Sequence, residues 1–150
     1  MWRPATPTDD DAIIALSVLL NAEDPGPRPV PRAHVERTLA MLRREPARGT
    51  AAVLELDGRV VGYTFLISFW SNELGGDVCT IDELFVHPDH RGHGHGAAMF
   101  AAIDALWARP YVALALETTH RNERARALYA RLGFARRNLT MIRWPTAPAG

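Results

Sequence analysis

Arg91-Gly92-His93-Gly94-His95-Gly96 sets three glycines between a strand-like segment, Thr80 to Val86, and an apolar helical pattern that begins at Ala97. Few structures suit such a run. Glycine lets a backbone approach a partner closely or adopt conformations that side chains resist, and the first turn of a helix offers N–H groups with no intrahelical acceptor. Free amides at the positive end of a helix dipole favour an anion, and a pyrophosphate fits both the charge and the spacing.

Two nucleotide motifs share this appearance. A mononucleotide P-loop closes on Gly-Lys-Ser/Thr, and the chain contains no lysine, so that reading fails. The dinucleotide fingerprint expects its turn to begin a βαβ unit, with an acidic residue about 20 positions further on. Glu117 lies near that distance, which leaves this rival standing on the loop alone.

A length of 150 residues suits one domain, expected over 1–150, able to bury roughly two thirds of its unfolded surface in a single core. Seventeen basic and seventeen acidic residues cancel, so no global charge draws the chain to nucleic acid or to an anionic membrane. Cys79 stands alone, which excludes an intrachain disulfide and fits a reducing cytoplasm, the expected location. Its place within a strand pattern favours a buried apolar role over that of a nucleophile. No apolar run approaches the length needed to cross a bilayer, and the first residues lack the charged-then-apolar order of a signal peptide.

Along the chain, residues 1–5 suit a short strand, and Thr8 suits the N-cap of a helix carrying Ala12, Ile13, Leu16, Leu19 and Leu20 on one face. Asp9, Asp10 and Asp11 then lie in its first turn, a structural role rather than a metal site. Four prolines and a glycine between Asp24 and Pro31 demand a loop. A second helix is predicted over Arg32–Arg44, with Val35, Leu39 and Leu42 inward. Strand runs over 51–56 and 60–69 join through Asp57-Gly58, a strong hairpin signal. Residues 69–77 read as a loop before a strand over 78–86. Further elements are a helix over 97–107, a strand over 111–118, a helix over 124–132 stopped at Gly133, and a last strand over 137–144 before a frayed Pro/Ala/Gly tail at 145–150. The fold class is α+β with a mixed sheet.

Three blocks stand in order: Ile81-Asp82-Glu83-Leu84-Phe85-Val86, then Arg91-x-x-Gly94-x-Gly96, then Glu117-Thr118-Thr119-x-x-Asn122 with Tyr129 seven residues on and Gly133-Phe134 after it. Together with the opening Trp2-Arg3-Pro4-Ala5-Thr6-Pro7, they resemble the GNAT superfamily of acyl-CoA-dependent N-acetyltransferases across essentially the whole chain. The resemblance implies a mostly antiparallel central sheet of about six to seven strands flanked by about four helices. It implies acetyl-CoA as acyl donor and a primary amine as acceptor, joined in a ternary complex. Backbone groups of Leu84, Phe85 and Val86 would hold the pantetheine arm, with the N–H near Leu84 polarising the acyl carbonyl. Amides of Arg91, Gly92, His93, Gly94, His95 and Gly96 would hold the pyrophosphate.

In the same pattern Asn122 contacts the cofactor, a role compatible with an ordinary helix N-cap, and Tyr129 protonates the departing thiolate. A phenol suits that task because its ordinary pKa exceeds a thiol's; a packed core tyrosine is the alternative. Glu83 and Asp82 are the candidate bases, Glu83 preferred. A regular strand points them to opposite faces, so one alone sees the acyl centre unless a bulge re-aims the other. Both also suit sheet-edge carboxylates paired with arginine.

His87, His90, His93 and His95 have the composition of a metal tract. No cysteine or carboxylate cluster accompanies them and two occupy variable loop positions, so no metal is assigned; protonated, they would favour the phosphates. Glu73, Asp77 and Asp82 could attract a cationic amine and Trp70 could stack on it; the same loop also suits plain solvation, so the acceptor is unassigned, with polyamine, aminoglycoside, amino-acid and protein N-terminus or lysine amines all open and a small cationic amine slightly favoured. A non-catalytic acyl-CoA-binding module is the alternative function. Exposed edge strands near the C-terminus are compatible with a homodimer.

Overall fold

A computed structural model describes residues 1–137 and 141–143. Five strands, β1 (Trp2–Pro4), β2 (Gly49–Leu56), β3 (Arg59–Ser71), β4 (Gly76–Val86) and β5 (Ala113–Leu116), form one sheet in the order β1-β2-β3-β4-β5. Every neighbouring pair is antiparallel except β4 and β5, which run parallel. The helices are α1 (Asp10–Glu23), α2 (Arg32–Arg44), α3 (His95–Ala101), α4 (Ile103–Trp107) and α5 (Glu123–Arg131). The mixed α+β class stands; the sheet has five strands among the described residues, and of the last strand expected over 137–144 half, residues 138–140 and 144, lies outside them, as does the expected tail.

Two cores form because β2 alternates. Ala52 and Leu54 face one side, where with Leu66, Cys79 and Ile81 they pack on Met99, Phe100, Ile103, Leu106 and Trp107 of α3 and α4. Ala51 and Val53 face the other, where with Tyr63, Phe65 and Phe85 they pack on α1 and α2. Val35, Leu39 and Leu42 of α2 are buried there, at the spacing expected of one helix face. Cys79 is fully buried, and burial pushes its thiol up to about 12, in keeping with an apolar role.

Several boundaries moved. Thr6 rather than Thr8 caps the helical start, through a capping box with Asp9 across a 3-10 turn. The buried face of α1 is Ile13, Ile14, Leu16 and Ser17, and Leu19 is exposed. Asp9, Asp10 and Asp11 pair with Arg3, Arg43 and Arg32, as structural carboxylates do. Residues 69–77 are not an extended loop: β3 runs to Ser71 and β4 starts at Gly76. The single helix expected over 97–107 is interrupted at Ala102. Asp57 and Gly58 both take positive φ, +50° and +73°, in the hairpin turn foreseen for them.

Candidate active site

β4 carries the site because its two edges are treated differently. Toward β5, pairing stops at Ile81↔Leu116, although β4 continues to Val86. From Asp82 onward this edge has no strand partner among the described residues, which leaves main-chain donors and acceptors for a bound chain. Toward β3, Phe65 opposes Glu83 and Leu66 opposes Ile81, so Asp82 is an extra residue in a β-bulge.

The bulge reverses the faces of the strand. Cys79 and Ile81 belong to the α3–α4 core, whereas Phe85 belongs to the α1–α2 core. An unbroken strand would put residues 79, 81, 83 and 85 on one side. Glu83 thereby reaches Tyr63 in the α1–α2 core, and Leu84 and Val86 pack toward α3 and α4. Asp82 and Glu83 therefore do not have the simple opposite-facing arrangement of a regular strand.

Glu83 is half-buried and accepts a 2.6 Å hydrogen bond from the Tyr63 hydroxyl. Burial pushes its carboxyl above the ordinary carboxylate value, the Tyr63 hydrogen bond pulls it down, and Asp82 adds a further upward push. Asp82 is raised by desolvation and then by Glu117, just past β5. Among the described residues, neither candidate base is paired with arginine. By contrast, Asp77 at the start of β4 accepts from Ser68 at 2.7 Å and Glu73 in the turn accepts from Arg137 at 2.5 Å, so both carboxylates are already engaged. Trp70 is exposed near the tip of the hairpin.

The glycine run forms an open turn. Gly92 and Gly94 take φ of +89° and +78°, and the backbone N–H groups of residues 92–97 donate to no backbone carbonyl among the described residues. The Arg91 amide, in contrast, donates to the Pro88 carbonyl at 3.1 Å. Its guanidinium spans both Glu23 oxygens at 2.8 Å, donates to Val86 O at 2.8 Å and lies over the Phe85 ring. Arg91 thus anchors the turn. Gly96 has a packing reason to be glycine, since a Cβ there would meet Leu128 Cδ2 at 2.9 Å.

The histidines do not converge. His87 stacks on edge with His90 and His93 lies beside His95, and among the described residues no three His, Cys, Asp or Glu side chains are grouped to hold a metal. Desolvation, then neighbouring histidines, lower the His95 pKa, which opposes the protonated form. The His95 carbonyl accepts from Trp2 Nε1 at 2.8 Å, tying β1 to the turn.

On α5, the Asn122 side chain accepts from Ala125 N–H at 3.1 Å, the N-cap geometry. Tyr129 packs edge-on against Phe100 and Phe134, with centroids at 6.0 and 5.9 Å. Its hydroxyl has no hydrogen-bond partner among the described residues, and burial raises its pKa. Tyr129 borders the α3–α4 core whereas Glu83 reaches Tyr63 in the α1–α2 core, so the two lie on opposite faces of the sheet. Sequence reasoning missed Tyr63 and Glu23. Both meet the site through pairings distant in sequence, and nothing local marks them.

A central strand that outruns its parallel neighbour, followed by a turn of free amides, is the architecture of an acetyltransferase-type α+β domain. It superposes on a possible acetyltransferase from Clostridium difficile 630 with a TM-score of 0.80 at 20% identity, covering 98% of this chain and 97% of that one. Aminoglycoside N-acetyltransferase AAC(6')-Iy in complex with CoA gives a TM-score of 0.74 at 16% identity, over 98% and 100% of the two chains. The chain belongs to the acetyltransferase (GNAT) family, whose model matches residues 14–134. Two relatives are mycothiol acetyltransferases, each 34% identical. That of Nocardiopsis dassonvillei aligns over 69% of this chain and 30% of its own length, and that of Frankia casuarinae over 88% and 35%. The chain thus spans about a third of the length of these curated relatives. No helix among the described residues is long and apolar enough to cross a membrane.

Proposed function

We propose that residues 1–150 form one catalytic domain that moves an acetyl group from acetyl-CoA to a primary amine by direct attack in a ternary complex. The observation that supports this reading is the Asp82 bulge, which sets the half-buried Glu83 in the stretch of β4 whose other edge has no strand partner among the described residues.

In this reading Leu84, Phe85 and Val86 hold the pantetheine arm by strand addition, and amides of Gly92, His93, Gly94, His95 and Gly96 hold the pyrophosphate. Arg91 fixes the turn through Glu23, and Asn122 caps α5 where it meets the cofactor. Glu83 takes a proton from the acceptor amine as nitrogen attacks the thioester carbonyl carbon, and the N–H near Leu84 stabilises the oxyanion. The C–S bond then breaks, and Tyr129 gives its proton to the departing thiolate. A raised carboxyl is a suitable base because its proton affinity is nearer neutrality. Asp82 and Glu117 favour a small cationic amine as acceptor.

A panel of primary amines incubated with acetyl-CoA, with release of free thiol followed, tests the reading. Amine-dependent thiol release supports it. Binding of acetyl-CoA by calorimetry without turnover of any amine would make the domain an acyl-CoA-binding module.

A further inference from the structure

Tyr63 is fully buried in the α1–α2 core, where a phenylalanine would fill nearly the same space. A hydroxyl there is costly unless it is bonded, and its acceptor is Glu83 Oε2 at 2.6 Å. The register sets Tyr63 opposite Phe85 and Phe65 opposite Glu83, so the contact runs diagonally between strands. It exists because the Asp82 bulge turned Glu83 onto that face. Contacts with Phe65 at 5.4 Å and Phe85 at 6.4 Å between centroids leave the ring little freedom.

We propose that Tyr63 is a positioning residue for the base: its hydroxyl fixes Glu83 Oε2 and leaves Oε1, unpartnered among the described residues, to receive the acceptor's proton. This rests on the reading of Glu83 as the base. Tyr63 itself keeps its proton, because burial and then Glu83 raise the phenol well above its ordinary value. Among the described residues, the titratable groups that act on Glu83 are Tyr63 from β3 and Asp82 from β4. Glu117, beyond β5, acts on Asp82, and from α1 the Ser17 hydroxyl lies beside the phenol. The carboxylates disfavour ionisation of Glu83, and the phenol is the group that supports it.

Tyr63→Phe keeps the ring and removes the donor. The Glu83 carboxyl, followed by ¹³C NMR titration of the free protein, is expected to titrate about one pH unit higher in the variant. The acid limb of kcat/KM, measured with the amine turned over fastest in the panel, is expected to rise by the same interval, about a tenfold loss on that limb. KM for acetyl-CoA should stay within about twofold. In a Glu83→Gln background the added Tyr63→Phe change should have almost no further effect, which a purely structural role would not produce.

An unshifted Glu83 titration and acid limb in Tyr63→Phe, with Glu83→Gln inactive, overturns the positioning role and leaves the base intact. Glu83→Gln as active as the unmodified domain, or no amine turned over at all, overturns the base and the positioning role together.

Discussion

Arg91 and Glu23 are joined by two hydrogen bonds of 2.8 Å across 68 residues of sequence, and they tie the end of α1 to the glycine turn. The pair is partly exposed, so its contribution to global stability is small, below about 1 kcal/mol. Its effect falls on the turn. Glu23→Gln is expected to weaken acetyl-CoA binding by about three- to tenfold through loss of preorganisation, with little change in a urea melt. Tighter binding by calorimetry would mean instead that Glu23 holds the guanidinium away from the phosphates.

Asp9 receives two hydrogen bonds from Arg3 and one each from the Thr6 amide and hydroxyl. The Arg3 bonds hold its carboxyl well below the usual range, with Thr6 contributing against desolvation. A carboxylate depressed by folding contributes stability above its unfolded value near pH 4, and that contribution is lost as pH falls toward the folded value. Asp9→Asn should therefore lower stability at pH 7 by about 1–2 kcal/mol. The difference from the unmodified domain should shrink below pH 4, as measured by urea denaturation across pH.

Tyr129 makes no hydrogen bond through its hydroxyl among the described residues, so Tyr129→Phe should leave the melting temperature nearly unchanged. If the hydroxyl is the acid, kcat should fall by about a hundredfold while acetyl-CoA affinity stays within about twofold. Because burial raises this phenol, the unmodified domain should show no basic loss from Tyr129 below about pH 10. Steady-state kinetics beside a binding isotherm check all three.

Gly94 and Gly96 should fail differently. A Cβ at 94 meets nothing within 4 Å but sits on a φ of +78°, so Gly94→Ala should cost about 1–2 kcal/mol and disturb the amide turn. It should raise the acetyl-CoA dissociation constant. At 96 the new methyl presses on Leu128, one residue before Tyr129, so Gly96→Ala should reduce kcat more than affinity. Melting curves and kinetics of the two variants separate backbone strain from packing.

Asp82 is raised by desolvation and by Glu117, and it in turn raises Glu83. A carboxyl raised by folding opposes the folded state once pH exceeds its unfolded value. Asp82→Asn should therefore keep or increase the melting temperature at pH 7 while moving the acid limb of kcat/KM to lower pH. A fall in melting temperature would show that Asp82 holds the bulge itself.

Local chemistry was readable in the chain. The spacing of Val35, Leu39 and Leu42 bounds α2, Asp57-Gly58 defines a hairpin, and the glycine run forms an open turn, because each depends on neighbours within a few residues. The Asp82 bulge was not readable, since it exists only in the registry of β4 against β3. Nor was the engagement of Glu73 and Asp77, whose partners Arg137 and Ser68 lie in other segments. Asn122 allowed two compatible roles in sequence, and the structure displays the cap.

The amino-acid order by itself determined where amides would be freed and which residue types would stand near them: glycine at 92 and 94, carboxylates at 82 and 83, a phenol at 129. Which way those groups point was decided only in three dimensions. A strand alternates with period two, so one extra residue exchanges its faces, and the pairing that inserts it is a contact between strands that no local pattern encodes. Glu83 meets Tyr63 for that reason.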